Sequence, residues 1–167
     1  MINIVLYQPE IPQNTGNIMR TCLGGEAKLH LIKPLGFSLN DKYLKRSGLD
    51  YFKEIDYELY ENYDEFCSKN KGTFYFITRY GKKLPTSFSY VSKENIYFIF
   101  GSESRGVPKN ILQENINNCI RIPITTKIRT LNLSNCVSIM IYEALRQQDY
   151  EGLSLVEPFK GSDYLER

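Results

Sequence analysis

The sequence predicts an α/β domain organised around a mostly parallel sheet with helices on both faces. Three observations carry that reading. Short runs rich in β-branched and aromatic residues recur along the chain, and segments of helical character separate most of them. No internal repeat, low-complexity tract or Pro/Gly/Ser-rich linker divides the 167 residues, which are therefore expected to form one domain, 1–167.

Taken in order, Ile2 to Tyr7 is the first strand. It lacks the charged n-region and small-residue cleavage site of a leader, so the protein is expected to be cytoplasmic. A helix is expected over Gly16 to Leu23, a strand over Lys28 to Ile32, and helices over Asp41 to Arg46 and Asp64 to Lys69. Strands follow at Thr73 to Thr78 and Ile96 to Phe100. Pro108, whose fixed φ suits a first helical position, opens a helix reaching Glu114. Cys119 to Ile124 is the last strand. Leu133 to Gln147 is the longest helix, with Val137, Met140, Ile141, Ala144 and Leu145 at helical spacing. The tail 151–167 is polar and peripheral.

Composition narrows the function. No apolar run approaches the roughly 20 residues that span a bilayer. The four cysteines, Cys22, Cys67, Cys119 and Cys136, lie far apart in sequence and form none of the close pairs of zinc or redox motifs, so buried reduced thiols are expected. His30 is the only histidine and sits in the apolar run Leu29-His-Leu-Ile32, which argues against histidine triads and multi-histidine metal sites. A net charge of +2 is too small to announce a nucleic-acid partner, but the charge is uneven. Lys42, Lys45 and Arg46 form one basic group, Arg79, Lys82 and Lys83 a second, and Lys127 with Arg129 a third; Asp50 to Glu65 is predominantly acidic. Solvated faces of opposite sign explain this as well as RNA does.

In an open parallel sheet, ligands bind beyond the carboxyl ends of the strands. Three such ends are unusual. Gly101-Ser-Glu-Ser-Arg-Gly106 follows a strand and combines two glycines, which let backbone approach a ligand, with the charges of Glu103 and Arg105. Thr125-Thr-Lys-Ile-Arg129 leads into Thr130-Leu-Asn-Leu-Ser-Asn135 ahead of the longest helix. Asn132 or Ser134 could simply cap that helix. Gln8-Pro-Glu-Ile-Pro-Gln-Asn-Thr-Gly-Asn17 follows the first strand, and Asn17 and Arg20 lie one turn apart. Arg20 offers a planar cationic fork suited to phosphate or a developing alkoxide, although a surface arginine needs no such role. Together the loops could hold the adenine, ribose and carboxylate of a nucleoside-like cofactor.

Asn14-Thr-Gly-Asn-Ile-Met-Arg20, Gly101-Ser-Glu-Ser-Arg-Gly-Val-Pro108 and Asn132-Leu-Ser-Asn135 resemble, in order, the three motifs of SPOUT RNA methyltransferases. The likeness covers nearly the whole chain. With its opening Asn-Ile-Val-Leu-Tyr-Gln-Pro-Glu-Ile-Pro and no N-terminal extension, the sequence is most similar to the minimal subfamily that methylates the ribose of the tRNA wobble nucleotide. The resemblance implies a C-terminal deep trefoil knot over approximately 73–150 holding S-adenosyl-L-methionine, a homodimer with its active site at the interface, and the anticodon region of tRNA, of leucine tRNAs in particular, as partner. It implies no metal and no membrane.

Residue by residue, the resemblance implies cofactor contacts at Ile77 or Thr78, Gly101, Ile122, Ile124 and Thr130, largely through backbone, with Leu131 and Ser134 close by. Arg20 matches the arginine proposed to activate the hydroxyl. Asn14, Glu103, Arg129, Asn135 and Tyr142 match positions that orient substrate or shape the site, with Glu103, Arg129 and Asn135 expected to face RNA. Ser102 and Ser104 stand where proline and threonine are common, Thr130 where serine is, and Leu145 where tryptophan is. A 2′-O-methyltransferase acting on rRNA or another tRNA position stays open as an alternative, as does a non-catalytic RNA-binding assembly factor.

Overall fold

The computed structural model describes residues 1–48 and 52–167. Six strands form one sheet in which every pairing is parallel, in the order β3-β2-β1-β5-β4-β6. They are β1 Ile2–Tyr7, β2 Lys28–Ile32, β3 Tyr57–Tyr60, β4 Thr73–Ile77, β5 Ile96–Phe100 and β6 Cys119–Ile120. The helices are α1 Pro12–Gly24, α2 Lys42–Gly48, α3 Tyr63–Lys69, α4 Lys109–Glu114 and α5 Leu133–Gln147.

Strand alternation sorts the helices to the two faces. Ile2, Ile4 and Leu6 of β1 pack with Ile18, Met19 and Cys22 of α1, Leu44 of α2, and Val137, Met140, Ile141, Ala144 and Leu145 of α5. Val5 points the other way, toward Phe66 of α3 and Ile111 of α4. The apolar spacing expected of α5 is thus the stripe that enters the core.

The differences from expectation have local causes. β3 lies within the stretch read only as acidic; it is a four-residue edge strand, Tyr-Glu-Leu-Tyr, too short to show alternation. Asp50, where that stretch begins, lies outside the described residues. The strand expected over 119–124 ends at Ile120, because Arg121 N–H turns to the Lys83 carbonyl (2.9 Å for the neighbouring Thr78 N–H to Ile120 carbonyl, 2.8 Å here) and Pro123 has no N–H to give. β4 likewise stops one residue short of Thr78. Pro108 precedes the first turn of α4 as its N-cap residue, and α1 begins earlier than expected, with Pro12 in its first turn.

His30 anchors a buried polar line across three strands. Asn3 donates its amide to the Met1 and Ile96 carbonyls (both 3.1 Å), so its Oδ1 faces His30 Nε2 at 3.0 Å. Nε2 therefore carries the hydrogen, and Nδ1 accepts from the Tyr60 hydroxyl at 2.8 Å. A neutral ring satisfies both bonds, and burial pushes its pKa down from 6.5 to about 4. Folding therefore favours the neutral ring, while the unfolded chain takes up a proton below about 6.5. The stabilisation is complete above pH 6.5 and declines as pH falls toward 4. Urea midpoints should report a loss of about 2 kcal/mol between pH 7 and pH 5. His30→Phe should start lower at pH 7 and show a smaller decline across that window; equal declines would show that His30 is not the titrating group.

Candidate active site

β1, β5, β4 and β6 carry their carboxyl ends to one edge, and the loops that leave them surround a cleft of about 570 Å³. Its apolar lining comes from Ile77, Phe100, Ile122, Ile124, Leu131 and Leu133, and Arg79, Arg105, Arg121 and Arg129 stand around it. The loop after β5 is folded tightly on itself. Gly106 N–H donates to the Ser102 carbonyl (2.9 Å), and a Cβ on Gly101 would fall 2.0 Å from the Gly106 carbonyl carbon. Gly106 has φ +70 and open space where a side chain would stand, so this stretch of cleft is bounded by bare backbone.

One chain of hydrogen bonds joins the three sequence motifs. Glu103 accepts from Glu10 N–H (2.8 Å), Ile11 N–H (3.1 Å) and the Asn14 amide (3.2 Å). Asn14 Oδ1 accepts from the Asn132 amide (3.0 Å), and Asn132 Oδ1 accepts from Ser134 N–H (2.9 Å) and the Ser134 hydroxyl (2.5 Å). Asn132 is thus the N-cap of α5. α1 has neither a side-chain cap nor a first-turn acid of its own, and Glu103 supplies the negative charge at its entrance from another loop. Ser104 donates to Glu10 (2.6 Å), which holds the Glu10 carboxyl below the usual range.

The expected site residues fall into two groups. Ile77, Thr78, Gly101, Ile122, Ile124, Thr130 and Leu131 line the cleft, together with Asn14, Glu103 and Arg129. Ser134 does not; its hydroxyl is engaged in the cap. Glu103, expected to face RNA, spends its carboxylate on the α1 entrance. Arg20, Asn135 and Tyr142 lie outside the lining. They belong to an exposed double stripe: Gln13, Asn17, Arg20 and Gly24 on α1, and Asn135, Ile139, Tyr142 and Arg146 on α5, each set advancing by four, three and four residues. The two helices pack side by side. Tyr142 is 48% and Ile139 39% exposed.

Sequence reasoning passed over Tyr80 and Arg121, whose positions on the cleft depend on loop packing. Cys136 also lines the cleft, with its thiol pushed up by burial and so kept protonated. Among the described residues, no three His, Cys, Asp or Glu side chains are grouped to hold a metal ion.

The SpoU rRNA Methylase family model matches residues 1–142. The chain belongs to that family. A Geobacillus stearothermophilus protein carrying the provisional name tRNA (cytidine(34)-2′-O)-methyltransferase is 54% identical over 92% of this chain and 99% of its own length. The tRNA (cytidine(34)-2′-O)-methyltransferase of Methylovorus glucosotrophus is 44% identical over 91% and 99%. A solved structure described as giving insight into 2-OH methylation of C/U34 on tRNA superposes with a TM-score of 0.82 at 37% identity, covering 90% of this chain and 98% of that one.

The Glu103 junction makes a stability prediction. Glu103→Ala strands two backbone N–H groups and the Asn14 amide, and should cost about 1–3 kcal/mol in urea denaturation. Ser104→Ala, which removes one exposed bond, should cost under about 1 kcal/mol. Equal costs would contradict the assignment of Glu103 as the junction.

Proposed function

We infer that this protein transfers a methyl group from S-adenosyl-L-methionine to the 2′-hydroxyl of the wobble nucleotide of tRNA, a cytidine or modified uridine. The observation that carries the inference is the joining of Asn14, Glu103 and Asn132 at one cleft, in a chain that shares 54% identity across nearly its whole length with a wobble-nucleotide enzyme relative. The rRNA description of the family leaves ribosomal RNA as a second substrate class, and the near-complete coverage of the tRNA relatives favours tRNA.

The cleft fits the cofactor. Apolar side chains from Ile77, Ile122, Ile124 and Leu131 suit an adenine, and the bare backbone at Gly106 suits polar groups that need close approach. Bound there, S-adenosylmethionine supplies an activated methyl on a sulfonium whose departure as a neutral thioether needs no metal. The protein's own task is the nucleophile. A ribose hydroxyl reacts poorly, so the site must hold it near the methyl group and stabilise the charge that develops as its proton leaves. Arg20 is the group for that charge. A guanidinium keeps its proton, so it orients and stabilises rather than removing the proton.

The exposure of Arg20, Asn135, Ile139 and Tyr142 on one double stripe supports a homodimer in which α1 and α5 of each copy meet and Arg20 reaches the partner's cleft. The deep trefoil knot over approximately 73–150 is part of the same reading. It rests on the motif resemblance. We read residues 1–167 as one domain acting in the cytoplasm on the anticodon region, with leucine tRNAs as the acceptors that the motif resemblance implies. No helix among the described residues is long and apolar enough to cross a membrane.

Calorimetry under reducing conditions should detect binding of S-adenosylmethionine or its demethylated product. Arg20→Ala should abolish methyl transfer to tRNA while leaving cofactor affinity within about two-fold, because the arginine is assigned to the ribose hydroxyl and lines none of its own chain's cleft. No cofactor binding by the wild type would refute the function. Parallel loss of affinity and transfer would make Arg20 structural.

A further inference from the structure

Tyr80 is 73% exposed, yet it lines the cleft. Among the described residues, only Tyr80 and Phe100 are aromatic members of that lining, and Phe100 is buried in the sheet. An isolated surface tyrosine on a loose loop would mean little. This one stands at the apex of a loop that is fixed from several sides.

Thr78 N–H donates to the Ile120 carbonyl (2.9 Å), Arg121 N–H to the Lys83 carbonyl (2.8 Å), and the Arg121 guanidinium to the Arg79 carbonyl (2.5 Å). Within the loop, Gly81 N–H reaches the Thr78 carbonyl (3.2 Å) and Tyr80 N–H the Thr78 hydroxyl (3.3 Å). The ring is therefore presented by a preorganised backbone, and little ordering entropy is left to lose when a ligand contacts it. The Arg79 guanidinium carbon lies over the Tyr80 ring at 5.4 Å from its centroid.

The charge beside it is of one sign. Residues 77–84 contain Arg79, Lys82 and Lys83, and residues 119–131 contain Arg121, Lys127 and Arg129; neither stretch contains an Asp or Glu. Cations that can meet phosphates, next to an exposed aromatic ring, are the combination by which proteins hold single-stranded nucleic acid, with each base stacked on a π-face. The floor of the cleft is apolar and suits a cofactor; the ring stands at the exposed rim, where the RNA must arrive.

We propose that Tyr80 is the stacking platform for the base of the nucleotide whose ribose is methylated, a positioning contact that rests on the tRNA methyltransferase reading above. Arg79 backs the ring, and the surrounding lysines and arginines hold the flanking phosphates. Stacking fixes the base and so limits where its 2′-hydroxyl can lie.

The test measures binding of an anticodon stem-loop RNA to the full-length wild type, Tyr80→Phe and Tyr80→Ala, each with the intact hairpin and with one lacking the base at the target nucleotide. Tyr80→Ala should weaken binding of the intact hairpin by about 5- to 100-fold, as loss of one base–aromatic stack does. Tyr80→Phe should stay within about three-fold, since the ring and not the hydroxyl is used. Removing the base should weaken the wild type and leave Tyr80→Ala unchanged, and cofactor affinity should be the same in all three proteins. The proposal is overturned if Tyr80→Ala binds like the wild type, if removal of the base costs both proteins equally, if Tyr80→Phe falls as far as Tyr80→Ala, or if cofactor affinity falls in step with RNA affinity. Methyl transfer to tRNA by the wild type is scored separately, so failure of the stacking idea is distinguishable from failure of the enzymatic one.

Discussion

The site depends on the buried amide of Asn14. It sits in the first turn of α1, gives its N–H to Glu103 on the loop after β5, and takes an N–H from Asn132 at the start of α5. Its bonding partners lie 89 and 118 residues away in sequence. With both amide atoms engaged in opposite senses, the residue fixes the relative positions of two helix entrances and one loop. Asparagine suits this because it carries a donor and an acceptor on one short, planar group. An aspartate would face Glu103 with like charge, and an apolar residue would leave the Asn132 amide N–H without its acceptor and take one of three donors from Glu103.

Around that joint the labour is divided by chemistry. The cleft provides apolar surface and bare backbone suited to the adenosine part of the cofactor, and Arg79, Arg105, Arg121 and Arg129 stand around it. The groups that would act on the ribose hydroxyl lie elsewhere, on the double stripe of α1 and α5. Within the cleft, the Cys136 thiol is kept protonated by burial, and the Glu103 carboxylate is already occupied by three donors.

Much of this was legible in the residues. The parallel α/β architecture followed from the strand runs and from the apolar spacing of α5, and seven of eight expected cofactor positions line the cleft, the exception being Ser134, which caps α5. Motif order supplied what single loops did not. What escaped is what long-range packing decides. β3 gains its place from pairing with β2 and shows almost no alternation of its own. Glu103 looked like a group for RNA because its acceptors' partners, backbone N–H groups at Glu10 and Ile11, leave no signature in sequence. The role of Tyr80 depends on a loop held by Ile120 and Arg121, some forty residues away.

Locating the methyl group decides which nucleotide the protein modifies. Purified protein is incubated with S-adenosylmethionine and unmodified tRNA, with ribosomal RNA in a parallel reaction, and the products are mapped by mass spectrometry after nuclease digestion. One 2′-O-methyl group is expected, on the wobble nucleotide of the tRNA anticodon, and none on ribosomal RNA. Methylation at another tRNA position, on a base, or on ribosomal RNA alone would contradict it.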